Sequence, residues 1–199
     1  MDSTAAIASI LQGYAQGNFL MADEDGILGW YRSSVRTLIP LDGRFRYPTS
    51  LRRVLNQRRF TMRISTDFAG VVDGCAARPE TWISPQLKQL YQALHRAGWA
   101  QSFEAWHEGQ LAGGILGLVI GGVFIGESMF YAQPEASKAA MVALVQHLRC
   151  RGYRIFDAQL MNPHLARFGA YQLDDAEYSR QLARAIALPC HFLPGPEDS

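Results

Sequence analysis

The amino-acid sequence predicts an α/β (α+β) protein: a mixed β-sheet flanked by helices, preceded by a small N-terminal α/β module. Three observations predict it. From Ser84 onward, stretches of helical and of strand periodicity alternate. Three of the strand-like runs follow one another with only "EGQ" (108–110) and Gly121-Gly122 between them, the spacing of an antiparallel meander. Upstream, between Trp30 and Arg63, nine arginines stand against one acid, Asp42, which sets that stretch apart. At 199 residues and 48% hydrophobic, the chain can bury one full core, or a main domain plus a small appendage. The boundary is placed near residue 62, giving a small basic domain over 1–62 and a larger one over 63–199.

The elements follow in order. Ser3 and Thr4 can cap a first helix whose Ile7, Ile10, Leu11 and Tyr14 recur at helical spacing, with Gly17 as its stop. "DEDG" at 23–26 is a turn, followed by short strands in "ILGWY" (27–31) and "VRTLI" (35–39). "TSLRRVLNQRR" (49–59) is a short helix capped by Thr49 or Ser50 and carries four arginines. Ser84-Pro85 opens a helix with Leu87, Leu90, Tyr91 and Leu94 on one face and Gly98 at its end. The meander is "QSFEAWHE", "QLAGGILGLVIG" and "GVFIGESMF". A helix from about Glu135 to Arg151 comes next, then a strand in "RIFDAQ", a short helix around His164, a strand in "YQL" and a last helix from about Asp174. "PGPEDS" at the end reads as a loose tail.

Net charge is only +1, yet the arginine-rich stretch alone is +8, so the remainder is −7. Arginine without lysine suits bidentate contacts to phosphate. The stretch is either a solvated basic face or the seat of a phosphate-rich partner such as RNA. Cys75, Cys150 and Cys190 are an odd count without C-x-x-C, which argues against a disulfide frame and a thiolate metal site. The histidines are scattered with no H-x-x-x-H pair, so no metal is expected. No run of 18 apolar residues occurs, and Met1-Asp2-Ser3 is not a basic start before an apolar run. A cytoplasmic protein without membrane contact is expected.

Glu127 breaks the apolar run of the third meander strand, beside Ser128 and Met129. It either ends the strand in water or faces something, since ionised carboxylates are rarely buried without a partner. Three antiparallel strands, a long helix, a further strand and another helix is the order of an acetyltransferase-type layer, and it resembles the Gcn5-related N-acetyltransferases (GNAT-type fold). Fold likeness does not fix chemistry. In those enzymes a Gln/Arg-x-x-Gly-x-Gly/Ala turn holds the pyrophosphate of coenzyme A at the N-terminus of the long helix. Here that place reads "YAQPEASKAAM" (131–141), without glycine and with Glu135 near the anion site, so acetyl-CoA is disfavoured.

"YAQGNF" (14–19), "TWI" (81–83), "GESMF" (126–130), "ASKAA" (136–140) and "DAQLMNPHLARFGA" (157–170) together, in this order, resemble the leucyl/phenylalanyl-tRNA–protein transferases. The resemblance implies transfer of leucine or phenylalanine, and also methionine, from aminoacyl-tRNA to the α-amine of proteins that begin with arginine or lysine. The product marks its protein for degradation. Partners would be the aminoacyl-tRNA and the acceptor protein, with no cofactor, and the chain is expected to be a monomer. The resemblance makes Asp157 and Gln159 the catalytic pair; Glu127, whose strand end should lie beside Asp157, is read as shaping the donor or acceptor site. It puts Ile115, Phe124, Met129, Met141, Leu144, Leu148 and Phe156 around the amino-acid side chain, and Trp82 on the terminal adenosine, where stacking is the natural role. Arg36, Arg52, Arg53, Arg58 and Arg59 are the arginines expected on the tRNA. The family's usual aromatic pair after the "GNF" position is replaced by Leu20-Met21-Ala22, which leaves Met21 as a partial substitute.

The residues allow this chemistry on their own terms. The donor is an ester, so aminolysis is downhill without nucleotide hydrolysis, and no G-x-x-x-x-G-K-[ST] loop occurs. The attacking amine has an ordinary pKa of about 7.7–8.0, so a modest base or acceptor suffices. Asp157 and Gln159, two apart on a strand, point to the same face. They are a catalytic network of carboxylate and amide, or a cap and a satisfied strand-end group. Met141, Leu144, Val145 and Leu148 recur at helical spacing as core, pocket wall or both. The rival functions are a CoA-dependent N-acetyltransferase and a non-catalytic tRNA-binding protein.

Overall fold

A computed structural model describes residues 3–23, 25–77 and 81–193. The expected tail at 194–199, Glu24 of the expected turn, and the side chains of Ser3 and Thr4 expected to cap the first helix lie outside the described residues.

Helix α1 (Ser3–Ala15) stops at Gly17, whose φ of +87° only glycine adopts without strain. Strands β1 (Phe19–Ala22) and β2 (Leu28–Tyr31) form a small antiparallel sheet, and Asp23 Oδ1 accepts from the backbone N–H groups of Asp25 and Ile27 in the turn between them. Next come β3 (Val35–Ile39), α2 (Thr49–Asn56), β4 (Thr61–Ile64), α3 (Phe68–Ala76) and α4 (Pro85–Arg96). Ser84 caps α4 by accepting from Leu87 N, with Pro85 in the first turn. Helix α2 departs from expectation: Pro48 is its N-cap and no side chain caps it, so neither Thr49 nor Ser50 has that role. The meander is β5 (Ala100–His107), β6 (Gln110–Ile120) and β7 (Val123–Tyr131). Then follow α5 (Ala136–Cys150), β8 (Ile155–Gln159), α6 (Pro163–Ala166), β9 (Tyr171–Asp174) and α7 (Asp175–Ile186), the last capped by Asp174.

Among the described residues the main sheet has seven strands in the order β4-β5-β6-β7-β8-β3-β9, with β7 and β8 parallel and the other pairs antiparallel. It is the mixed sheet flanked by helices that the sequence predicts. Strand β3, from the arginine-rich stretch, lies inside this sheet between β8 and β9, and residue 62 falls within β4.

Alternate strand residues feed two cores, one on each face. Ile125 and Ile155 pack with α3, α4 and α7 through Val71, Tyr91 and Leu182, while Phe124 and Phe156 pack with α5 through Leu144 and Leu148. The β7–β8 pairing runs from Val123↔Ile155 to Ile125↔Asp157. Beyond it the two strands no longer pair, which leaves an opening between their ends.

Candidate active site

A cavity of about 460 Å³ occupies that opening. In open parallel α/β sheets ligands bind outside the carboxyl ends of the strands, and β7 and β8 pair in parallel here. Gly126, Glu127, Ser128 and Met129 reach it from β7, and Ala158, Gln159 and Leu160 from the end of β8. Its apolar wall is Ile115, Met129, Met141, Phe156 and Leu165, and its polar groups include Ser137, Asn162 and His164. Met21, Trp82 and the exposed Tyr131 complete the lining.

Glu127 is only 6% exposed. Tyr91 donates its hydroxyl to Glu127 Oε2 at 2.8 Å, and Gln159 Nε2 donates to Oε1 at 3.3 Å. The Tyr14 hydroxyl is buried beside the same carboxylate without closing a hydrogen bond of normal geometry. Burial pushes the Glu127 carboxyl up to about 7. The two tyrosine hydroxyls and the Arg36 charge hold it back, while the Asp157 charge adds to the rise.

Asp157 is fully buried and fully occupied. Arg36 grips both its oxygens, Nε at 2.9 and 3.0 Å and Nη2 at 2.6 Å, and Tyr178 donates to Oδ2 at 2.7 Å. The Arg36 guanidinium lies 4.8 Å from the Phe19 and Tyr178 ring centres, and its Nη1 donates to the Gly17 carbonyl. The remaining bond to Asp157 comes from the backbone N–H of Gln159, 2.8 Å from Oδ1. That contact holds Gln159 at φ +61°, a left-handed conformation rare for a residue with a side chain. The bent backbone ends β8, and the Gln159 amide reaches Glu127. A chain of contacts thus runs Arg36–Asp157–Gln159–Glu127–Tyr91, and Gln159 and Glu127 are its members on the cavity wall. Among the described residues, no group of three His, Cys, Asp or Glu side chains could hold a metal.

Residues 38–183 match the family described as leucyl/phenylalanyl-tRNA protein transferase, and residues 6–34 match that family's N-terminal domain. The protein named leucyl/phenylalanyl-tRNA–protein transferase in Gloeothece citriformis is 63% identical over 93% of this chain and 97% of its own. Its namesake in Synechocystis sp. is 61% identical over 92% of this chain and 93% of its own. The chain belongs to the leucyl/phenylalanyl-tRNA–protein transferases. It is therefore an aminoacyltransferase. Among solved structures, the C-terminal domain of a protein named "Putative Lysylphosphatidylglycerol Synthetase" from Agrobacterium fabrum aligns over 98% of this chain and 99% of its own at a TM-score of 0.53. At 12% identity it shares the fold alone.

Within this transferase the structure gathers part of the expected site. Glu127, Gln159, Ile115, Met129, Met141, Phe156 and Trp82 line the cavity. Three residues expected on the pocket wall do not: Phe124, Leu144 and Leu148 are each 0% exposed, within the α5 core. Helical spacing cannot tell a wall from the layer behind it. Asp157, expected to face the amine with Gln159, is turned onto Arg36 instead, and it acts on Gln159 through the main chain. Arg36, expected on tRNA, is 1% exposed and committed to Asp157, so it reaches no phosphate. Arg52, Arg53, Arg58 and Arg59 are exposed. Glu135 stands at the α5 N-terminus with φ +72° and pairs with Lys138 at 2.6 Å. Met21 reaches the cavity from β1.

Tyr14 and Tyr91 were legible in the sequence only as apolar helix positions, and Tyr178 was not singled out. Their signal was available: a buried tyrosine hydroxyl needs a partner, and two of the three end on the acids of the site.

Proposed function

We propose that the enzyme transfers leucine, phenylalanine or methionine from the 3′ end of aminoacyl-tRNA to the α-amine of proteins beginning with arginine or lysine. It would act as a cytoplasmic monomer, and its product would mark the acceptor for degradation. The observation that carries the reading is one cavity in which an apolar wall meets the Glu127–Gln159 pair. The donor's side chain fills the space between Ile115, Met129, Met141 and Phe156. Unbranched methionines adapt to leucine and to the phenyl ring, and a charged side chain would find no partner there.

The acceptor amine arrives at the rim. Ionised Glu127 attracts it while cationic, and the Gln159 carbonyl oxygen accepts a hydrogen bond from it once neutral. The amine nitrogen attacks the ester carbonyl, the new C–N bond forms, and the C–O bond to the ribose breaks. The amine gives up one proton, and the ribose oxygen leaves with one. Asp157 keeps the Gln159 backbone bent so that its amide meets the cavity, which is a positioning role. Trp82 and Met21, on the cavity lining, would cover the terminal adenosine. Arg52, Arg53, Arg58 and Arg59 take the phosphates of the acceptor stem.

The test supplies labelled leucyl-tRNA with an arginine-starting peptide, and separately labelled acetyl-CoA. Label on the peptide from leucyl-tRNA is expected. Label from acetyl-CoA alone would overturn the reading in favour of the acetyltransferase.

A further inference from the structure

His164 lines the same cavity and is not used in the transfer described above. Asn162 fixes its helix α6 by accepting from Leu165 N at 3.0 Å, and the His164 ring stands edge-on to Phe168 with centroids 5.4 Å apart. Its Nε2 is buried and has no hydrogen-bond partner. An unpaired buried polar atom lowers stability, and in a native structure it calls for an explanation. The ring borders the cavity, and turning it would bring this nitrogen to a bond that substrate completes.

The surroundings say which kind of group completes it. Burial, with Lys138 and Arg167 adding to it and Glu135 opposing, pushes the His164 imidazole down, which favours the neutral ring at pH 7. In its Nε2–H tautomer it offers one donor. The nearby cations repel an ammonium group from this wall and favour an oxygen. The acidic partner for the amine, Glu127, belongs to β7 instead.

We propose that His164 is a substrate-contacting residue whose ring N–H donates to an oxygen at the aminoacyl-ester end of the donor, the ester carbonyl or the neighbouring ribose hydroxyl. This rests on the transfer reading above. On the carbonyl, the bond would strengthen as negative charge gathers there during attack.

His164→Phe keeps the ring packing on Phe168 and removes the unpaired nitrogen, so its melting temperature should not fall. Its kcat/KM for leucyl transfer should drop on the order of 10²-fold, the size of losing one such donor. His164→Gln restores an N–H and should recover part of that loss. A donor tRNA lacking the terminal 2′-hydroxyl, charged on the 3′ position, separates the two oxygens. If His164→Phe then costs nothing more, the partner is the ribose; if it costs the same factor, the partner is the carbonyl. Wild-type kcat/KM in His164→Phe overturns the inference alone. So does a loss that comes with a lowered melting temperature and no recovery in His164→Gln. No leucyl transfer by the wild type would overturn the functional reading and this inference with it.

Discussion

Glu127 is a carboxyl group that folding makes harder to ionise. Its pKa rises from 4.5 to about 7, so between those values the folded state holds a proton that the unfolded chain has released. The stabilisation is fully present below about 4.5 and is lost as pH rises through about 7. At 1.36 kcal/mol per unit, the shift is worth about 3 kcal/mol. Urea unfolding followed from pH 4.5 to 8 should show a fall of that order in the wild type. Glu127→Gln should lack it, and equal slopes in the two proteins would contradict the assignment. Asp157 fails differently, because its partner is a buried cation. Asp157→Asn leaves Arg36 unpaired, and breaking one side of a buried ion pair costs about 3–5 kcal/mol. The double variant Asp157→Asn, Arg36→Met should unfold at higher urea than Asp157→Asn alone. A double variant no more stable than the single one would mean that the lost charge acts elsewhere. The sequence alone pointed Arg36 outward because arginine is rarely buried, and its partner lies 121 positions away.

The long helix shows how one element serves core and site together. Met141 borders the cavity, and one turn on, Leu144 lies in the core. Leu144→Phe should overpack that core, lowering stability by typically 1–3 kcal/mol and reducing leucyl and phenylalanyl transfer in parallel. Met141→Phe should shrink the cavity itself, so phenylalanyl transfer should suffer more than leucyl transfer. Measuring both donors beside a melting curve decides it, and a donor-selective effect at Leu144 would put that residue back on the wall. Helix α2 carries the basic face. If Arg52 and Arg53 hold tRNA phosphates, replacing both with alanine should weaken every aminoacyl-tRNA alike and flatten the salt dependence of binding. An unchanged slope would remove them from the interface.

At the scale of the molecule, periodicity and capping made the meander, α4, α5, β8, β9 and α7 legible, because each is long or carries a local signal such as Ser84-Pro85. Three elements were not. Strands β1 and β4 are four residues each, as short as β9, and nothing in their own residues set them apart from loop. Helix α3 holds Gly70 and Gly74, which speak against a helix locally. Its reason is tertiary: a Cβ on Gly74 would come within 2.5 Å of the Phe130 ring. The place of β3 between β8 and β9 has no local signal at all. The site was legible as a set of residue types: Glu127 because it interrupts an apolar strand, and Asp157 and Gln159 from the family resemblance and their two-residue spacing. Which of them faces the cavity was not, since that depends on the left-handed backbone of Gln159 and on Arg36 arriving from β3.

We propose that aminoacyl transfer takes place where β7 and β8 part. A crystal structure with a non-hydrolysable amide analogue of phenylalanyl-adenosine tests it most directly. The phenyl ring should lie between Ile115, Met129, Met141 and Phe156, with the amide carbonyl carbon beside Glu127 and Gln159 and the adenine against Trp82. An analogue bound elsewhere, or with its ring outside that cavity, would contradict the account.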